Sequence, residues 1–293
     1  MSQSLKTNGR PFAKFASSAF TVACACCMVL CLVALALLLW NIFSYGWQRV
    51  SIEFLTSPPS QITPEKAGIK SALVGSIYLI GLTALFSVPI GVGTAVYLEE
   101  YAPLNRWRTL VQMNIANLAG VPSIVYGILG LGLFVRALHL KHSLIAGALT
   151  LTLVVLPIII LASQEALRAV PRSIRSASYA LGATRWQTVW YQVLPAALPG
   201  IMTGVILALS RALGEAAPLV AIGAATFVRN VPTNLFEDDF GALPLQIYNW
   251  TDQSQEAFHV AAAGAIVVLL TVLISMNAVA IVLRYRFSKK VMW

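Results

Sequence analysis

Residues 18–43 read SAFTVACACCMVLCLVALALLLWNIF, a run without one Asp, Glu, Lys or Arg. A helix needs about 20 apolar residues to cross the hydrocarbon core of a bilayer, and this run exceeds that length. It is too long for the apolar core of a cleaved signal peptide. Trp40 and Trp47 stand at its far end, as an interfacial belt requires. Five more runs qualify as spans, at 71–97, 111–135, 143–163, 198–227 and 257–285. The expected fold is all-α, a polytopic membrane protein with six transmembrane helices.

Composition agrees. Of 293 residues, 58% are hydrophobic and 11% are charged, against about 25% charged in soluble domains. The net charge of +9 does not suggest nucleic acid, because the basic residues lie at the ends of apolar runs rather than in one patch. Cys24, Cys26, Cys27 and Cys31 all fall in the first span. They have no zinc-type spacing and read as apolar filler.

Lys and Arg decide orientation. With six spans both termini share a side. That side carries Lys6, Arg10, Lys14, Arg106, Arg108, Arg168, Arg172, Arg175, Arg185, Arg284, Arg286, Lys289 and Lys290, with three acids, Glu99, Glu100 and Glu165. The other side has Arg49, Lys66, Lys70, Arg136, Lys141 and Arg229, with seven acids. The bias of 13 basic residues to six places both termini in the cytoplasm. The expected organisation is a tail at 1–17, a first span and outer loop at 18–70, a five-helix core at 71–285 and a tail at 286–293.

Within the core, residues 164–197 form the longest cytoplasmic connection, and it is written as helices. Pro171 suits a first helical position. Ile174, Ala177 and Leu181 follow at helical spacing, and Gly182 stands where a helix C-terminus prefers glycine. Trp186, Val189, Trp190 and Val193 make a second stripe, which Leu194-Pro195 should end. Such a helix–glycine–helix segment could lie on the headgroups, pack back on the bundle, or dock into a groove of a cytoplasmic partner.

The stretch 176–195 resembles the coupling loop of binding-protein-dependent ABC importer permeases, whose pattern is Glu-Ala-Ala, three residues, Gly, nine residues, Ile, one residue, Leu-Pro. Ala177, Gly182, Leu194 and Pro195 match in register. Ser176 stands in place of Glu, Ser178 of Ala and Gln192 of Ile. The resemblance implies a type I ABC importer permease fold, with Ala177, Gly182, Trp186, Trp190, Leu194 and Pro195 facing a separate ATPase. The missing Glu implies a redistributed contact.

Three other stretches resemble the permeases of phosphate importers, the PstA/PstC family. They are LAGVPSIVYG at 118–127, SRALGEAAPL at 210–219 and PLQIYNW at 244–250. The third favours the PstA branch. The resemblance implies a phosphate-translocating subunit of the inner membrane. Its implied partners are a second, PstC-like permease, a dimer of PstB-like ATPases, a PstS-like binding protein outside, and membrane lipid.

Arg211 and Glu215 are the ionisable residues deep in a predicted span. Four apart, they share a helix face and can pair. A charge at the bilayer centre costs roughly 2.5–3.5 kcal/mol on insertion scales, and pairing lowers that cost. The pair either locks the fifth helix to a neighbour or lines the path. In the path, Arg211 would attract an oxyanion and Glu215 would keep it from being trapped.

There is no G-x-x-x-x-G-K-[ST] loop, so energy must come from another subunit. His139, His142 and His259 lack a third metal ligand nearby, and no serine sits in a nucleophile elbow. The expectation is a transporter, not an enzyme, with no cofactor and no metal. A permease for another oxyanion such as molybdate or sulfate, and a proton-coupled secondary transporter, stand as alternatives.

Overall fold

The computed structural model describes residues 11–224 and 227–288. The ends of the expected tails, 1–10 and 289–293, lie outside them, with Lys6, Arg10, Lys289 and Lys290. Twelve α-helices follow in order: α1 Pro11–Gly46, α2 Ile52–Thr56, α3 Lys70–Val96, α4 Arg106–Ala119, α5 Ser123–Gly130, α6 Leu144–Arg168, α7 Arg172–Ala180, α8 Arg185–Thr188, α9 Leu194–Gly214, α10 Ala217–Ala221, α11 Leu243–Thr251 and α12 Glu256–Ser288. Turns of π-helix occupy Tyr97–Tyr101, Leu131–Ala137 and Val189–Val193. Among the described residues there is no strand, only an isolated bridge between Ser143 and Asp239.

Among the described residues five helices are long and apolar enough to cross a membrane, six if the bent pair of 106–119 and 123–137 counts as one span. The expected third span, 111–135, is not one helix. It breaks between α4 and the helical stretch 123–137, which meet at 103°. Pro122 has no N–H and disfavours helical backbone at Val121, so the chain leaves one helix at Gly120 and starts another at Ser123. The expected fifth span, 198–227, also ends early. It stops at Gly214, Glu215 is extended (φ −83°, ψ 111°), and the short α10 starts at Ala217 with Pro218 in its first turn.

The centre is α6, which packs along α3 and α9. Two thirds of its apolar window is buried (67%), against none of the corresponding window of α1. α3 and α6 run parallel, with the Thr83 hydroxyl reaching the Ala148 carbonyl and Gly91 against Ile159. α9 runs antiparallel to α6. Gly200 faces Ala166 and Gly204 faces Ala162, so the G-x-x-x-G step is a close helix contact. A Cβ on Gly204 would collide with the Ala162 Cβ. Gly204→Ala should therefore lower stability in detergent by about 1–3 kcal/mol. Gly81→Ala is the control, since open space lies before Gly81. Thermal unfolding of both variants checks this, and equal midpoints would refute the close contact.

Two ends of the bundle differ in charge. At the acidic end, residues 228–242 are stitched to the start of α6. The Ile145 N–H donates to the Leu235 carbonyl at 3.1 Å, Lys141 pairs with Glu237 at 3.7 Å, and buried Phe240 packs on Gly147. Asp238 accepts from the Asn234 and Thr233 N–H groups and the Thr233 hydroxyl, which hold its carboxyl below the usual range. That staple is complete above the ordinary carboxylate range and is lost as pH falls through the lowered value.

Candidate functional site

The opposite, basic end carries the helix–glycine–helix segment. Pro171 is the N-cap of α7, one position earlier than expected, and α7 itself has no buried residue. It closes as the sequence requires. The Gly182 N–H donates to the Tyr179 carbonyl at 2.9 Å and the Ala183 N–H to Ser178 at 3.2 Å, the paired bonds of a Schellman cap. Gly182 has φ +82°, a conformation other residues adopt only under strain. Thr184 and Gln187 then cap α8 reciprocally. The Ser178 hydroxyl meets the Thr188 hydroxyl at 2.8 Å, tying the two helices across the turn.

Leu194-Pro195 does not end the second helix. α8 continues through the π turn at Val189–Val193 into α9. In a regular α-helix the Pro195 ring would press on the carbonyl of residue 191. The wider π turn gives that ring room without a break. The stripe also divides. Val189 and Val193 are buried, Val193 in a core cluster with Leu98, Ile160 and Leu167. Trp186 and Trp190 point outward, 60% and 51% exposed, their rings stacked 5.5 Å apart. Leu181 is 89% exposed and Ala177 is exposed. These residues thus form an apolar surface, broken by Arg185, that this chain leaves uncovered.

Beneath that surface lies a charged hub. The carboxylate of Glu99, on the π turn after α3, accepts from Gln164 (2.9 Å) and Arg168 (2.6 Å) of α6 and from Arg108 (3.2 Å) of α4. Glu100 accepts from Arg175 of α7 through Nη2 at 2.7 Å and Nε at 3.2 Å. Arg175 also donates to the Leu167 and Val170 carbonyls at the end of α6. The Arg185 guanidinium lies 5.5 Å from the Tyr101 ring centre. One short turn therefore holds α4, α6, α7 and α8. Sequence reading assigned Glu99 and Glu100 only a side. Their presence among 13 basic residues was the signal that they are counter-ions.

Arg211 and Glu215 meet as expected, Nε to Oε1 at 3.0 Å. They do so across the end of α9, because Glu215 is already past the helix. Extending the α9–α6 register places Arg211 beside Val155, halfway along α6. Ala208 and Ala212 pack there on Val155 and Ile159. The Arg211 side chain is 49% exposed and that of Glu215 18%. Among the described residues, no neighbouring helix shares this ion pair. Glu215 borders a small cleft with Ser76 and Leu79 of α3, Leu151 of α6 and Pro244 of α11. A cationic group thus stands at mid-bundle on an open face, tethered by one carboxylate.

Among the described residues no group of three His, Cys, Asp or Glu side chains could hold a metal. The four cysteines are free and exposed on α1.

Known proteins share this architecture. PstA 1, the phosphate transport system permease protein of Mycobacterium tuberculosis (strain CDC 1551 / Oshkosh), is 34% identical over 266 residues, covering 89% of this chain and 86% of that protein. The probable ABC transporter permease protein YqgI of Bacillus subtilis (strain 168) is 35% identical over 264 residues, covering 84% and 88%. A crystal structure of a bacterial ABC transporter involved in the import of the acidic polysaccharide alginate matches with a TM-score of 0.61 at 15% identity, covering 93% of this chain and 96% of that one. The last is a likeness of fold, that of a type I ABC importer permease. Residues 87–292 match the family described as binding-protein-dependent transport system inner membrane component. The chain belongs to that family: it is a membrane-spanning permease subunit of an ABC importer and not an enzyme.

Proposed function

We propose that the chain carries inorganic phosphate across the inner membrane, with energy from a separate ATPase that docks on the exposed surface of 177–190. The observation that carries the reading is Arg211, a half-exposed cation at mid-bundle held by a single carboxylate. An oxyanion can approach it by charge-assisted hydrogen bonds, and Glu215 competes for the same guanidinium. Binding is then favourable enough for entry and weak enough for release. The relative named for phosphate transport, 34% identical over most of both chains, supports phosphate as the anion.

The open face at Arg211 needs a second wall, which a PstC-like permease would supply. A dimer of PstB-like ATPases would sit at the basic end, and a PstS-like binding protein would deliver substrate at the acidic end. Reconstituted into proteoliposomes with those subunits, the chain should support ATP-dependent phosphate uptake. Excess molybdate or sulfate should not reduce it. Inhibition by either would move the assignment to another oxyanion, and uptake that follows a proton gradient with ATP absent would replace the importer reading.

In this reading both termini are cytoplasmic. In a chain without native cysteines, Asp239→Cys should react with a membrane-impermeant thiol reagent in intact spheroplasts, while Arg175→Cys should not. Labelling at position 175 would reverse the orientation.

A further inference from the structure

At the basic end, α9 and α12 border an open groove of about 630 Å³. Pro199, Gly200 and Thr203 line one side, Ile281, Val282 and Tyr285 the other, and Arg284 stands in it. Pro199 and Gly200 bring too little side chain to fill the gap. Ile281 and Val282 are exposed on the outer surface of α12. The groove is therefore mostly apolar, with Tyr285 beside its aliphatic side chains, and opens to the surroundings of the bundle.

Arg284 is the charged residue of that lining. It is half-buried, and its Nη1 donates to the Thr203 hydroxyl at 2.9 Å. A guanidinium has five N–H donors, and a hydroxyl brings no negative charge. The acids of this end are already engaged: Glu99 by Arg108 and Arg168, Glu165 by Arg168, Glu100 by Arg175. No carboxylate among the described residues pairs with Arg284. Arg286 is exposed and does not line the groove. A half-buried cation without a counter-ion among the described residues, beside a mostly apolar slot, matches a ligand with an anionic head and a hydrocarbon body.

We propose that this groove is a binding site for one anionic phospholipid, its phosphate on Arg284 and an acyl chain between α9 and α12. Basic side chains between transmembrane helices near a membrane surface recognise anionic headgroups in this manner. The site would steady the α9–α12 contact next to the point where α9 continues into the exposed coupling surface. It does not depend on which solute the permease carries.

The test uses the full chain, delipidated in mild detergent and offered phosphatidylglycerol or phosphatidylcholine, with retained lipid read by native mass spectrometry. The wild-type chain should hold one phosphatidylglycerol in preference to phosphatidylcholine. Arg284→Gln should lower that preference about five-fold, the scale of one basic side chain at an anionic surface. Val282→Trp keeps the charge but fills the groove, and should also release the lipid. Arg286→Gln, outside the groove, should retain it. Should Arg284→Gln fail to fold, Val282→Trp decides alone. Equal retention of the two lipids by the wild-type chain, retention undiminished by either groove variant, or loss in Arg286→Gln overturns the site.

Discussion

Replacing Arg211 by Gln is expected to lower phosphate uptake about 10- to 100-fold, the loss of a hydrogen bond to a charged group worth about 1.5–3 kcal/mol. Insertion and assembly should survive. Glutamine keeps polarity at a side chain that is half exposed, so no packed cavity opens. Glu215 is left without its cation, but it lies past the end of α9 and its ion pair ties down no other helix among the described residues. Glu215→Gln is the harsher change for the protein. Arginine cannot deprotonate, so Arg211 would either disturb assembly or hold the anion too firmly to release it. The double variant separates the two roles of the pair. If the pair only steadies the break at the end of α9, removing both charges restores assembly and transport together. If Arg211 handles the anion, the double variant assembles and still does not transport. Phosphate uptake near wild type in the double variant would sink the translocation role.

The spans were legible because their signal is gross composition. A run such as 18–43 has one physical solution in lipid, and 257–285 likewise. What periodicity could not locate was where a span breaks. Gly120-Val121-Pro122 and Gly214-Glu215-Ala216-Ala217-Pro218 sit inside apolar stretches, and hydropathy does not respond to a missing N–H. At Pro122 the proline's effect on the residue before it predicts the break, whereas Pro218 lies inside α10, three residues past the extended Glu215, and does not explain that break. Pro195 shows the converse. The same residue type, at a place where a π turn widens the helix, interrupts nothing.

The same limit governs the candidate site. Arg211 and Glu215 could be paired from a spacing of four, because the geometry is local. The Glu99 hub joins residues up to 69 positions apart, so no spacing reveals it. Only the charge imbalance at the basic end pointed to it. Ser176, where the coupling-loop pattern has Glu, remains exposed. Its neighbour Arg175 is anchored to Glu100. The start of α7 is thus held by a charge from another helix turn, while α7 itself contains no acid.

Gly182→Val should uncouple the transporter without unfolding the bundle. No atom lies within 4 Å of where a Cβ would point, so the substitution meets no clash. The strain is in the backbone. At φ +82° a β-branched residue is a genuine outlier, and the left-handed conformation costs about 1–2 kcal/mol or more. The Schellman bonds from Gly182 and Ala183 and the Ser178–Thr188 contact depend on that turn. Relaxing it would swing α7 against α8 and separate Leu181 and Ala177 from the Trp186/Trp190 stack. The spans, which pack elsewhere, would remain. In proteoliposomes containing the ATPase subunits, the variant should lose most bound ATPase and most substrate-stimulated hydrolysis. Gly182→Asn is the informative companion, since asparagine tolerates this conformation better than other side chains. It should recover most of both. If Gly182→Val keeps the ATPase and the stimulation, the surface formed by Ala177, Leu181, Trp186 and Trp190 is not the docking face. The stacked tryptophans would then be left to the lipid headgroups, where aromatic rings of this kind also rest.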